Sequence, residues 1–167
     1  MNKGWTGEFR NRMEQYRAAN PGASDMVEAS VKIRVSSGCF HREHSPQAYP
    51  LIDKAVAKAK KQAPLIHLEE HESGPEILVY MTLTAAGLQF AKSIIDLIVA
   101  ILRARSEGIR KGDSPRDPLK LILRRTNKTG DCVEEEVLTV ESTDSIVEVE
   151  IEEALTKAGE ALLKKTK

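Results

Sequence analysis

The chain has 167 residues, of which 41% are hydrophobic and 30% are charged. These values are typical of a single folded domain and exclude a disordered chain, which has fewer apolar residues and a large net charge. The 25 basic and 25 acidic side chains give a formal net charge of +0, so no overall field attracts nucleic acid or an anionic membrane. Either partner would require a local patch of charge.

Cys39 and Cys132 are the two cysteines of the chain. Two cysteines are too few for a disulfide framework and favour a reducing compartment. The start of the chain, MNKGWTGEFRNRMEQ, lacks the apolar run of about 7–15 residues that a signal peptide requires. We therefore expect a cytoplasmic protein.

An amphipathic helix is predicted over 6–19, because large apolar residues recur there at helical spacing and Asn-Pro-Gly follows. We assign 1–22 to this helix and its linker, and expect it to dock on the rest of the chain or on a second subunit. The remainder, 23–167, is predicted to form a single α+β domain.

The first half of this domain alternates strands and helices. Period-two alternation of apolar residues predicts a strand over 27–36, and prolines bound a helix over 46–63. Apolar residues on both faces place the strand 76–84 in the middle of the sheet. A membrane span is not expected in the apolar helix 85–105, because charged residues lie in its middle. Its broad apolar surface favours burial against a sheet or a partner.

In the second half of this domain, the turn sequence NKTGD between two strand-like segments predicts a hairpin of strands 119–126 and 132–140. A short strand over 146–151 is expected to lead into a final helix. Together these elements predict an α+β fold with a mixed or mostly antiparallel sheet of about four to six strands and helices mainly on one face. A ferredoxin-like arrangement, the split βαβ motif, is one candidate topology.

All four histidines lie in two short runs, 41-HREH-44 and 67-HLEEH-71. The second run matches the H-x-x-E-H signature of inverted zincins, in which two histidines one helical turn apart hold zinc. On a strand the same side chains lie about 13 Å apart and cannot share an ion. The apolar residues before the run and the Ser-Gly-Pro turn after it favour a strand over 64–72, with a short helix as the alternative.

The better candidate site is the loop after the first strand, which holds Cys39, His41 and His44. A thiolate and two imidazoles supply most of a zinc coordination shell. A thiolate beside an imidazole at a helix N-terminus is also the basis of cysteine-nucleophile chemistry. The sixth residue after Cys39 is Ser45, not the arginine that a C-x5-R phosphatase requires. An ordinary surface loop is the third interpretation.

A basic segment, 103–128, carries nine basic side chains against three acidic ones. Within it Arg110, Lys111 and Arg116 are the candidates for contacts with nucleic-acid phosphates. The acidic segment 131–153 follows, and pairing across the hairpin would neutralise part of the basic charge. No aromatic residue follows Phe90, so this half of the chain offers no stacking platform.

These features favour a binding or assembly domain that acts through protein contacts, as a homo-oligomer or with a protein partner, and that needs no cofactor. One alternative is a metal-binding or cysteine-dependent enzyme centred on the loop 39–44, with zinc as its cofactor. The other is a weak nucleic-acid binder that uses the basic segment.

Overall fold

The computed structural model describes residues 4–19, 26–35, 40–62, 66–71, 74–84, 87–88, 92–114, 118–126, 129–141 and 148–164. The helices of these residues are α1 (Gly4–Ala19), α2 (Tyr49–Gln62), α3 (Lys92–Arg110) and α4 (Glu148–Lys164). The strands are β1 (Met26–Val35), β2 (His67–His71), β3 (Gly74–Thr84), β4 (Gly87–Leu88), β5 (Leu119–Thr126) and β6 (Cys132–Val140).

The main sheet has the strand order β2-β3-β1-β5-β6, and every neighbouring pair in it is antiparallel. The short strand β4 pairs with the end of β3. β3 lies between β1 and β2, and α2 connects those two strands, which is the split βαβ arrangement. The order β2-β3-β1-β5, with α2 and α3 as connections, confirms the α+β prediction and its ferredoxin-like candidate topology. β6, α1 and α4 are additions to that unit.

The core lies between one face of the sheet and three helices. Alternate residues of the central strands, such as Val31 and Ile77, contact buried side chains of α2, α3 and α4. α3 buries ten residues along its length. Because α2 and α4 cover the sides of α3, its broad apolar surface is accounted for within the chain. The apolar surface of α3 therefore does not explain the predicted association with a second subunit or a protein partner, and that association stays a prediction.

α1 packs on the opposite face of the sheet. Phe9 and Met13 are buried there against Leu78 of β3 and Cys132 of β6. α1 thus docks on the body of the same chain, which is one of the two arrangements that its pattern allows. The strands beneath it also present buried polar side chains, Ser30, Lys32, Glu76 and Arg124.

One predicted strand is wrong, and the long helix begins later than predicted. The predicted strand 146–151 falls on the start of α4 from residue 148 onward, because Ile151, Leu155 and Ala158 are buried at helical spacing. The alternation of valine and glutamate over 147–150 resembles the pattern of a strand. The long helix begins at Lys92, after the strand β4, and continues to Arg110. No helix in the described part of the chain is long and apolar enough to cross a bilayer.

Candidate metal centre

The HLEEH run is extended. Its residues form the edge strand β2, and the backbone pairs with β3 from His67 opposite Leu78 to His71 opposite Gly74. The prediction of a strand is confirmed. At a rise of about 3.3 Å per residue, the two histidines are too far apart to chelate one ion as in a zincin. The His67 ring instead contacts the Glu69 carboxylate at 2.9 Å.

The HREH run forms a compact turn between β1 and α2. The backbone N–H groups of His44 and Ser45 both donate to the carbonyl of His41, at 3.1 and 3.0 Å. This turn brings residues three positions apart to the same side of the backbone. Its base is anchored by the buried Phe40, whose carbonyl accepts a hydrogen bond from the Tyr49 hydroxyl at 3.0 Å.

Arg42 fastens the turn to two neighbouring elements. Its guanidinium donates to both carboxylate oxygens of Asp53 on α2, at 2.9 and 2.7 Å. It also donates to both oxygens of Glu70 on β2, at 3.0 and 2.7 Å. Two bidentate contacts fix the orientation of the guanidinium more firmly than a single ion pair would. The flanking residues His41 and Glu43 are therefore held on a defined turn.

The end of α3 fixes the other side of the loop. The Asp113 carboxylate is buried and accepts hydrogen bonds from the backbone N–H groups of Gln47 and Ala48, each at 3.0 Å. These N–H groups precede the first turn of α2, where backbone donors lack partners within the helix. An acidic side chain from a distant part of the chain thus caps α2 and positions the turn that precedes it.

Three potential metal ligands converge on this turn. One donor atom from each of His41, Glu43 and His44 lies within 4.8 Å of the other two. The two imidazole rings are 4.2 Å apart between centroids, with 31° between their planes. Neighbouring donors in a tetrahedral zinc site are about 3.4 Å apart, given metal–ligand distances near 2.0–2.1 Å. Side-chain rotations that move the donors by about an ångström would close this shell, because none of the three side chains is buried.

One ring nitrogen of His44 is buried. Its Nδ1 atom is shielded from solvent and has no hydrogen-bond partner among the described residues. A buried polar atom without a partner costs about 1–3 kcal/mol, and coordination of a metal by this nitrogen would remove that cost. The small cavity beside His44 is also lined by Arg105 and Asp113. The donor set therefore fits a divalent transition-metal ion.

Only part of the predicted zinc shell can be located. The structure brings together His41 and His44, and Cys39 lies outside the described residues. Glu43 is a potential ligand that was not predicted from the sequence. Its position between two histidines, in the spacing H-x-E-H, is the signal that could have identified it.

Two of the three predicted nucleic-acid residues lie at the end of α3. Arg110 and Lys111 are exposed there and share one partner, the Glu107 carboxylate. Arg116 lies outside the described residues. Farther along the segment, Lys120 contacts Glu136 at 2.8 Å and Arg124 contacts Glu134 at 3.0 Å. The predicted pairing of charges across the hairpin is therefore confirmed.

Comparison with protein-family models, with curated protein sequences and with solved structures gives no match to this chain.

The contact between Arg42 and Asp53 predicts a pH dependence of stability. Hydrogen bonding to Arg42 lowers the pKa of the Asp53 carboxyl below its ordinary value of 3.8. Because the folded-state pKa is below the unfolded one, the pair stabilises the fold above that ordinary value. This contribution is lost as the pH falls through the lowered folded-state pKa.

We expect the unfolding free energies of the unmodified protein and the Asp53→Asn variant to differ by less than about 1 kcal/mol at neutral pH, because both side chains are half exposed. The difference should shrink below about pH 4. Urea unfolding across a pH series measures it. A difference that stays constant down to about pH 2 would contradict the assigned ion pair.

Proposed function

We propose that this protein binds a divalent transition-metal ion, zinc above all, on the turn formed by His41, Glu43 and His44. The convergence of these three donors within 4.8 Å is the observation that supports the proposal. Two imidazoles and a carboxylate are ligands suited to zinc and its neighbours, whereas calcium and magnesium require shells made mainly of oxygen.

Cys39 is the proposed fourth ligand, as its position two residues before His41 suggests. In the cytoplasm, where we expect this protein, the cysteine would remain a thiol and could bind zinc as a thiolate. A four-ligand shell would close the site and give it a structural role. With three ligands the fourth position would remain open to water or to a small molecule.

Zinc binding by the untagged protein tests the proposal. Competition against a chromogenic chelator should show one zinc ion per chain, and the His41→Ala and His44→Ala variants should each lose most of that affinity. Binding should also weaken in acid, because the binding of a metal ion releases protons from its ligands. Equal affinity of these variants and the unmodified protein would overturn the proposal.

Two further variants define the shell. His67→Ala removes a histidine from β2 and serves as the matched control, so it should retain the zinc affinity of the unmodified protein. The Cys39→Ser variant separates the two coordination types. A loss as large as that of His41→Ala would establish a four-ligand shell, whereas unchanged affinity would leave the three donors of the turn.

A further inference from the structure

α2 carries a row of lysines on its outer side. Lys54, Lys58 and Lys61 are all exposed and occupy positions i, i+4 and i+7, which lie within one strip of a helix. The opposite side of α2 is buried in the core through residues that include Ile52 and Val56. At a rise of 1.5 Å per residue, the row is about 10 Å long.

An open groove of about 600 Å³ lies beside this row, between α2, α3 and the start of α4. Lys58 and Arg103 contribute cations to it, and Arg103 is exposed. The acidic residues of the groove have other partners: Asp96 and Glu148 contact Lys92, and Glu107 contacts Arg110 and Lys111.

The four cations Lys54, Lys58, Lys61 and Arg103 form no ion pair with any carboxylate of the described residues. Although the chain has equal numbers of acidic and basic side chains, these four cations therefore form a local positive surface. We call these four residues the α2–α3 basic surface.

We propose that the α2–α3 basic surface binds the phosphate backbone of double-stranded nucleic acid, without reading its sequence. The lysine row spans about three base pairs at a rise of 3.4 Å per pair. Because the net charge of the whole chain is zero, the attraction is local and the affinity depends strongly on salt. The surface is distinct from the hairpin part of the basic segment, where Lys120 and Arg124 already have acidic partners.

The chemistry of this surface favours a duplex over a single strand or a membrane. Proteins bind single strands by stacking bases on aromatic rings, and Tyr49, the aromatic residue of α2, is buried. Helices that lie on membranes insert large apolar side chains. None of the large hydrophobic residues of α2, whose burial the structure describes along the whole helix, is exposed.

Fluorescence anisotropy with a labelled duplex of about 20 base pairs tests the proposal. Four phosphate contacts predict a slope of about −3.6 in log K against log salt, which is roughly a hundredfold loss of affinity between 50 and 200 mM salt. The Lys54→Glu/Lys58→Glu/Lys61→Glu variant should bind at least about tenfold more weakly, because three of these contacts become repulsive. Circular dichroism of the variant checks that the fold is retained.

A matched pair of single variants distinguishes the effect of this surface on binding from the effect of the net charge of the chain. Lys58→Glu and Lys157→Glu make the same change of charge on exposed faces of α2 and α4. Only the first should weaken binding. Three results would overturn the proposal: equal effects of the two variants, no duplex binding at 50 mM salt, or tighter binding to phosphatidylserine vesicles than to the duplex.

Discussion

Replacement of Glu76 by alanine is expected to lower the free energy of unfolding by about 3 kcal/mol, one of the two largest effects that we predict. The Glu76 side chain is 1% exposed and lies beneath α1. Its carboxylate contacts Arg12 of α1 at 3.0 Å and Arg124 of β5 at 3.5 Å. Removal of the acid would leave two guanidinium groups, each at most 10% exposed, with less compensation.

The rest of the cluster limits the loss. Arg124 keeps its contact with Glu134 at 3.0 Å, and the Trp5 ring lies 4.4 Å from its guanidinium carbon. Burial, followed by the charge of Arg124, lowers the pKa of the neighbouring Lys32. Because Arg12 keeps its contacts with Glu8 and Glu69, the change falls near the lower end of the 3–5 kcal/mol that is usual for a broken buried pair.

Urea unfolding of Glu76→Ala beside Asp96→Ala measures this effect. Asp96 forms an exposed pair with Lys92 on α3, so its removal should cost less than about 1 kcal/mol. A double-mutant cycle between Glu76 and Arg12 should show coupling, since their contact joins α1 to the sheet. Equal effects of the two alanine variants would mean that the cluster beneath α1 is hydrated and not buried.

The second large effect is expected at Gly108, near the end of α3. A β-carbon added there would collide with the Asp113 carboxylate and would lie 2.9 Å from the backbone nitrogen of Ala48. Those two groups form the cap of α2. Gly108→Ala should therefore both crowd the helix contact and disturb the two hydrogen bonds that Asp113 accepts. We expect a loss of about 2–4 kcal/mol of unfolding free energy.

Gly7→Ala is the matched control for this change. Gly7 lies in α1, is exposed and would have no atom within 4 Å of the added carbon. Alanine has a higher helix propensity than glycine, so this variant should gain up to about 1 kcal/mol. Thermal unfolding of the two variants compares them directly. If Gly108→Ala is as stable as Gly7→Ala, α3 does not approach Ala48 as closely as the structure indicates.

Much of the fold follows from local patterns of residues. The alternation in 27–36 and the turn between 119–126 and 132–140 place β1, β5 and β6 within a residue of their observed bounds. The segment 146–151 misled the prediction, since alternating valine and glutamate suit a strand locally. Burial against α3 and β6 stabilises a helix in this segment. These contacts join residues that are far apart in the chain, so the local sequence does not predict them.

The candidate site, too, could be predicted from the sequence only in part. The two histidine runs, 41–44 and 67–71, could be separated because the geometry of a strand keeps two histidines apart. The role of Asp113 could not be predicted, because the residue lies far along the chain from the turn that it helps to position. Glu76 and Arg124 could not be paired from sequence either, since polar residues that alternate along a strand usually face solvent.

Histidine ring ¹⁵N spectra recorded during a zinc titration test the proposed metal centre most directly, because the four histidines divide into two pairs. If zinc binds at the turn, the ring nitrogens of His41 and His44 shift together and stop shifting at one equivalent of metal. The ring nitrogen signals of His67 and His71 do not shift. Shifts confined to the β2 pair, or no shift of any ring at one equivalent, would contradict the metal site.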